Sequence, residues 1–372
     1  MNEHTCQCDF CRDEHPISDL IVFHGVHLCE GCFESETSHC DVCGERVWDD
    51  DLVCDGRMEI CPTCFESHYT RCDRCDRIIH VEDVCYLDDD EDIPYCHECA
   101  QQLAYPGRGI QSYCYKPIPI FHGDGARYLG VELEIDRGGE LSDNARALME
   151  IANEDADNLY VKHDGSLSDG MELVTHPMTL AYHQHNMPWE TVMKEAIDMG
   201  YRSHQTTTCG LHVHVNRDSF GKTVDQQEKA IARVLFFVEN CWHELLRFTR
   251  RTQNQMDQWA ARYGRKNTPK EMMDHVKKSY AGRYTCVNLT NSATIEFRLF
   301  RGTLRYNTLI ATLQLVNELC NVAISFTDEE MGRFTWTDFV LRVGFQGYPE
   351  LVQYLKERRL YVSEPVDGEE EL

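Results

Sequence analysis

Residues 128–135 read YLGVELEI. Apolar and acidic residues alternate, with the period of a strand that buries one face. The alternation sends Glu132 and Glu134 to one side and Val131, Leu133 and Ile135 to the other. Two carboxylates side by side on a strand repel unless a cation sits between them. An exposed strand also carries glutamates, so the pair gains meaning only from what else shares its face. Downstream, HDGSL (163–167) is a turn with Asp164 and Ser166, and GMELVTHP (170–177) is a strand holding Glu172 and ended by Pro177. CGLHVHVN (209–216) places His212 and His214 on one side of a strand, an arrangement shared by many metal hydrolases and by plain polar strand faces. TIEFRLFRGTL (294–304) puts Glu296 and Arg298 on a common face, with Arg301 in or just after the strand end.

Together these segments describe a sheet with one apolar face and one face bearing Glu132, Glu134, Glu172, His212, His214, Glu296 and Arg298. Carboxylates with imidazoles suit hard-to-borderline divalent cations such as Mg2+ or Mn2+. Arginines among them suit phosphate, through the guanidinium fork. A face that gathers divalent metal and phosphate is the machinery of nucleotide-dependent phosphoryl transfer. No G-x-x-x-x-G-K-[ST] loop or dinucleotide fingerprint stands at a suitable place, which disfavours P-loop and Rossmann enzymes.

The ordered series GVELEI, HDGSL, MELVTHP, GLHVHVN, RYTCVNL and IEFRLFRGTL resembles the amidoligase family, over roughly residues 121–326. That family belongs to the carboxylate–amine ligase superfamily of glutamate–cysteine ligase and glutamine synthetase. The resemblance implies an α+β fold in which a curved antiparallel sheet surrounds an ATP–metal site, with helices packed behind. It implies ATP- and Mg2+-dependent amide formation through an acyl phosphate, on carboxylate and amine substrates that the motifs do not name. Carried over by motif, Glu132, Glu134 and Glu296 would bind metal, and Glu172 would be a further ligand or face the substrate. His212 and His214 would serve metal and phosphate, His212 being the closer match, and Arg298 would hold the transferring phosphoryl group. Arg283, Asn288 and Arg301 are further candidates for the cofactor, and Asp164 and Ser166 would shape the pocket rim. Two other readings compete: a ligase-like scaffold without activity, and a hydrolase built on His212 and His214. The hydrolase leaves the first-strand glutamates and the E-x-R strand unexplained.

The flanks look structural. Residues 225–250 and 306–326 have helical periodicity, with Cys241 and Trp242 as core, and 336–361 add small helices. The basic, polar stretch 251–282 departs from the family pattern and reads as an insertion or a solvated helix. Cys209, which precedes the H-x-H strand, is a candidate for a catalytic thiol.

The first hundred residues are of another kind. Cysteine pairs start at 8, 40 and 72, a period of 32. Each unit is C-D-x-C, a spacer, then C-x2-C: Cys8, Cys11, Cys29, Cys32; Cys40, Cys43, Cys61, Cys64; Cys72, Cys75, Cys96, Cys99. Paired knuckles at this spacing are a zinc signature, so about three structural zinc ions are expected. The pattern resembles treble-clef or LIM-like modules: a knuckle, a hairpin with turns such as His24-Gly25, Asp55-Gly56 and the longer DDDED (88–92), then a knuckle opening a helix. Cys54 and Cys85 fall at apolar hairpin positions and read as small buried hydrophobes; Cys6 stands as an alternative to Cys8. His15, His24, His27 and His39 could substitute as ligands, but four thiolates already complete a tetrahedron. A disulfide framework has no need of repeated C-x2-C pairs, and no export signal accompanies it.

Composition agrees. Of 372 residues, 36 are Lys or Arg and 63 are Asp or Glu, a formal charge of −27. Residues 1–105 carry 6 Arg, no Lys and 26 Asp+Glu, so most of the excess lies on the zinc array. This argues against nucleic acid and points the array to a basic protein partner, or to simple scaffolding. No apolar run of membrane-spanning length and no leader are read, so a cytoplasmic place is expected. The organisation expected is zinc modules over 1–105, a linker over 106–125, an amidoligase-like domain over 126–362 and an acidic disordered tail over 363–372.

Overall fold

The computed structural model describes residues 5–87, 90–103, 109–279 and 282–361. The expected acidic tail and residues 88–89 of the DDDED turn lie outside them; Asp90–Tyr95 is a strand. The chain divides into two compact units, Met1–Tyr105 and Pro106–Leu372.

In the first unit each repeat is two short hairpins and a one-to-two-turn helix. The first repeat pairs Thr5–Gln7 with Glu14–Pro16 around its first knuckle and Leu20–Phe23 with Val26–Cys29 before its second, and Glu30–Glu36 follows as helix. The second and third repeat this order, closing on helices Pro62–His68 and His97–Leu103. Arg12, Gly44 and Asp76, each directly after the first knuckle, adopt positive φ, so the tight turn recurs with the period. The aspartate of C-D-x-C has a structural task. Asp9 and Asp41 accept the backbone N–H of His27 and Glu59, at 2.8 and 2.7 Å, tying knuckle to hairpin. The equivalent partner of Asp73 is Pro94, which has no N–H; there the tie runs from Asp73 N to Pro94 O.

The repeats also pack on one another. Trp48 of the second lies edge-on to Phe23 of the first, and Asp55 of the second accepts the Ile78 N–H of the third at 2.8 Å. Each repeat buries only a few apolar side chains, such as Leu28 or Ile60, too small a core to stand alone. One expectation fails here. Cys54 is exposed, as are Val22 and Tyr86 at the same repeat position, because that residue points outward from its hairpin. The neighbouring position faces in, and Cys85 there is buried.

The second unit is built on a six-stranded antiparallel sheet: β1 Leu129–Ile135, β2 Leu159–Lys162, β3 Met171–Thr175, β4 Gly210–Asn216, β5 Val287–Asn288 and β6 Thr294–Arg301, in the order β2-β3-β1-β4-β6-β5. Its apolar face carries Val131, Leu133, Ile135, Leu173, Val213 and Phe297, all buried in the main core with the helices. Tyr306–Ser325 is long and apolar enough to cross a membrane by length and composition, but 78% of its apolar window is buried within the protein. The expected helix at 225–250 is two, Val224–Asn240 and Trp242–Thr249, with Cys241 and Trp242 buried at the break. The stretch 251–282 forms Gln253–Trp259 and Pro269–Lys278, which bury Met256, Met272 and Met273. Of the segment read as a linker, Ile110 sits in the core of the second unit, and Gln111 and His122 bridge to Lys162 and Met178.

Candidate active site and zinc centres

Strand order decides the site. Residues opposed in an antiparallel pair share a face, and β1 pairs Glu132 with His212 of β4 and Glu134 with Glu172 of β3. His214 of β4 opposes Glu296 of β6, which opposes Asn288 of β5. The polar face is thus assembled from strands far apart in the sequence. On β6 the register slips: Leu211 opposes Phe300 and Val213 opposes Phe297, so Arg298 and Leu299 share one place opposite His212. This bulge reverses the parity of the strand, so that Arg301 comes to the same face as Glu296 and Arg298.

His212 stands among three carboxylates. Its Nδ1 lies 3.2 Å from Glu132 Oε2 and 3.6 Å from Glu296 Oε1, and its Nε2 lies 3.7 Å from Glu134 Oε1. His214 Nε2 is 3.1 Å from Glu132 Oε1, yet this buried nitrogen makes no aligned hydrogen bond. Glu132, His212 and Glu296 can each offer one atom to a common ion. Carboxylate oxygens with imidazole nitrogen, one of them orphaned, fit a divalent cation such as Mg2+ or Mn2+. Burial works against charge on Glu132, but His214 and His212 outweigh it and hold it well below the usual carboxylate range. Glu296 is lowered in the same way: burial is overcome, chiefly by His214. Glu134 and Glu172 go the other way. Burial raises Glu134, and burial with the neighbouring Glu132 charge raises Glu172 well above the ordinary value.

The remaining candidates fall into two groups. Arg298 donates to Glu296 from Nη1 and keeps a buried Nε without a partner. Asn288 donates to Glu296 Oε2 at 2.9 Å, so it orients a carboxylate of the site. Arg283 bonds the hydroxyls of Tyr113 and Tyr284. Asp164 closes its turn by accepting the Ser166 N–H at 2.7 Å, and Ser166 is exposed. Arg301 gives its two Nη groups to the carbonyls of Arg250 and Thr206, at 3.2 and 3.1 Å. Cys209 is buried and its thiol is pushed up to about 12 by burial, which leaves no thiolate at neutral pH.

Two residues on this face escaped sequence reasoning. Lys162 of β2 is buried 3.6 Å from Glu172; the alternation of LYVK before HDGSL was its signal. Arg251 reaches the face from the turn after Trp242–Thr249, where no strand period could announce it.

The cysteines of the first unit form three tetrads as expected from spacing, with Cys8 in the first and Cys6 exposed outside it. Cross-knuckle Sγ–Sγ distances are 3.9, 3.8 and 3.6 Å. A tetrahedron with Zn–S of about 2.3 Å has edges near ~3.8 Å. The three tetrads therefore fit structural zinc. Burial opposes the thiolates of Cys8, Cys40 and Cys72, but backbone N–H groups outweigh it and hold all three at about 6. The four-cysteine groups contain no histidine; His15 lies beside Cys11 in a separate group with Asp13, and His39 Nδ1 is 3.0 Å from Gly44 O.

Residues 149–320 match the family model described as "Putative amidoligase enzyme". The interval holds Glu172, His212, His214, Glu296 and Arg298, and β1 precedes it. No curated protein matches the chain. Among solved structures, it is similar to a chain in the crystal structure of the complex between Prokaryotic Ubiquitin-like Protein Pup and its Ligase PafA. The TM-score is 0.30 and the identity 9%, covering 65% of this chain and 59% of that one. This chain thus spans about three fifths of that neighbour's length.

Proposed function

We propose, from the premise that this chain carries an amidoligase-family segment at 149–320, that it is an ATP- and Mg2+-dependent carboxylate–amine ligase. The observation that carries the reading is the convergence of Glu132, His212 and Glu296 beside Arg298 on one sheet face. A carboxylate is a poor acylating agent. Transfer of the γ-phosphoryl group of ATP to the carboxylate gives an acyl phosphate and ADP. The amine then attacks the acyl carbon, phosphate leaves, an amide forms and a proton is released. Glu132, His212 and Glu296, with Glu134 at their edge, would hold the divalent cation, which when bound offsets phosphate charge. Arg298 would hold the equatorial oxygens of the transferring group by its fork. Asn288 keeps one Glu296 oxygen oriented, and Lys162 lies 3.6 Å from Glu172 at the edge of the cluster. Asp164 and Ser166 would border the substrate opening, and Arg283 with its two tyrosines would flank it.

The glutamine synthetase-like curvature of the sheet belongs to the same proposal. The zinc array would dock a partner or the substrate itself, and its acidic surface would select a basic one. The test is incubation of purified protein with ATP, Mg2+ and a cell lysate, followed by a mass search for adducts lighter than the sum of their parts by one water. ATP binding should require Mg2+ or Mn2+; equal affinity in excess EDTA overturns the reading. Absence of ATP turnover across a broad panel of acids and amines would favour the inactive scaffold.

A further inference from the structure

Gly210 opens β4 in the middle of the candidate site. A Cβ there would lie 2.7 Å from Arg251 Nη2, 2.8 Å from His212 Nε2 and 3.4 Å from Glu134 Oε2. The guanidinium of Arg251 therefore occupies the space that a side chain at 210 would take, next to two groups of the candidate cation site. Arg251 is only 8% exposed. Its backbone N–H donates to Thr249 Oγ1. Among the described residues its guanidinium has no hydrogen bond and no ion pair.

The other arginines of this face already have partners for part of their guanidinium groups. Arg298 pairs with Glu296, and Arg301 donates to two backbone carbonyls. Glu134, the acid nearest Arg251, accepts from Gly210 N with one oxygen and faces His212 with the other. The position of Arg251 is also held. Arg250 before it takes a left-handed conformation, φ 61°, at the end of helix Trp242–Thr249, and its carbonyl is tied to Arg301 at the end of β6. No Arg251 nitrogen is among the fully shut-off atoms of this face, so its guanidinium borders open space in an otherwise buried setting, where a charge without a partner is costly. A rigid turn that holds one above a glycine gap beside carboxylates leaves its fork open to an incoming anion.

We propose that Arg251 contacts substrate directly: it takes an oxyanion, a phosphoryl or carboxylate oxygen, bound over Gly210 beside the cation ligands. Only the identity of the anion's donor rests on the ligase reading above. Arg251 is then a second cation on the reacting group, opposite in role to Arg301, which holds backbone.

The experiment uses the full-length, zinc-loaded protein with Mg2+ and three probes: inorganic phosphate, acetate and Mg·ADP, each titrated by calorimetry. Wild type is compared with Arg251→Gln and Arg251→Lys, and circular dichroism and zinc content monitor folding. The expected result is that wild type binds phosphate or acetate and that Arg251→Gln weakens it about tenfold or more, the loss of one charge-assisted contact. Arg251→Lys should retain part of it. A loss confined to phosphate assigns a phosphoryl oxygen, and one confined to acetate a carboxylate. The ligand-free Tm of Arg251→Gln should stay level or rise, because an unpaired buried charge has been removed. A fall of several degrees, equal anion affinity in all three proteins, or no anion binding by wild type would each overturn the assignment. Anion binding that depends on Arg251 without any binding of Mg·ADP would refute the ligase reading and leave the assignment standing.

Discussion

Gly210→Ala separates the site from the fold more sharply than removal of any ligand. The backbone at 210 is ordinary strand, so alanine brings no conformational strain, only a methyl group. To regain a 3.4 Å contact, Arg251 Nη2 must retreat by about 0.7 Å and His212 Nε2 by about 0.6 Å. Both are far ends of side chains, so the fold can yield locally. The stability change should stay within about 1 kcal/mol, helped by the lower unfolded-state entropy of alanine. Chemistry is less forgiving, because a misplacement of about 1 Å can cost roughly a hundredfold. Shifts of 0.6–0.7 Å should therefore lower ATP turnover by about ten- to a hundredfold and weaken the divalent site. The assays are Mn2+ titration by electron paramagnetic resonance, ATP turnover and urea denaturation on the same preparations. Wild-type turnover and Mn2+ affinity in Gly210→Ala would show that Arg251 and His212 do not act from where they stand. A stability loss above about 2 kcal/mol would show that the gap serves packing instead.

Arg298→Lys keeps the charge but loses the fork, so ATP turnover should fall by about 10²–10³ while ATP binding persists; equal turnover removes Arg298 from the mechanism. Elemental analysis should find about three zinc ions per chain. Cys8→Ser should lose one and Cys6→Ser none, since only Cys8 lies in a tetrad. A further prediction concerns pH. His183 is fully buried: Trp189 Nε1 can only donate to its Nδ1, at 3.3 Å, so Nε2 donates to Leu129 O at 3.0 Å and the ring is neutral. Burial holds it down at about 4. The unfolded chain binds this proton near pH ~6.5, so stability is full above that value and falls as pH drops toward 4, by about 3 kcal/mol in all. Denaturation at pH 7.5, 5.5 and 4.5 should show this slope in wild type and a shallower one in His183→Gln; identical slopes exclude His183 as its source.

How much was legible depends on the distance over which each feature is encoded. The zinc tetrads were readable because both knuckles of each repeat lie within 28 residues and the period of 32 repeats them in register. The hairpin cysteines show the limit even there. Cys54 and Cys85 look alike as apolar hairpin residues, and only the direction of each strand decided that one is exposed and the other buried.

In the second unit, strand periodicity determined which side chains share a strand face: Glu132 with Glu134, His212 with His214, Glu296 with Arg298. The motif series also carried the amidoligase resemblance. Periodicity is local, so it says nothing of which strands are neighbours. Strand order placed β4 between β1 and β6, and that alone brings His212 within reach of Glu132 and Glu296. The bulge at Arg298 and Leu299 set the direction of Arg301, because one extra residue reverses a period of two. Arg251 was invisible for the same reason in its strongest form. It stands in a turn with no period at all, and only tertiary packing over Gly210 makes it part of the site.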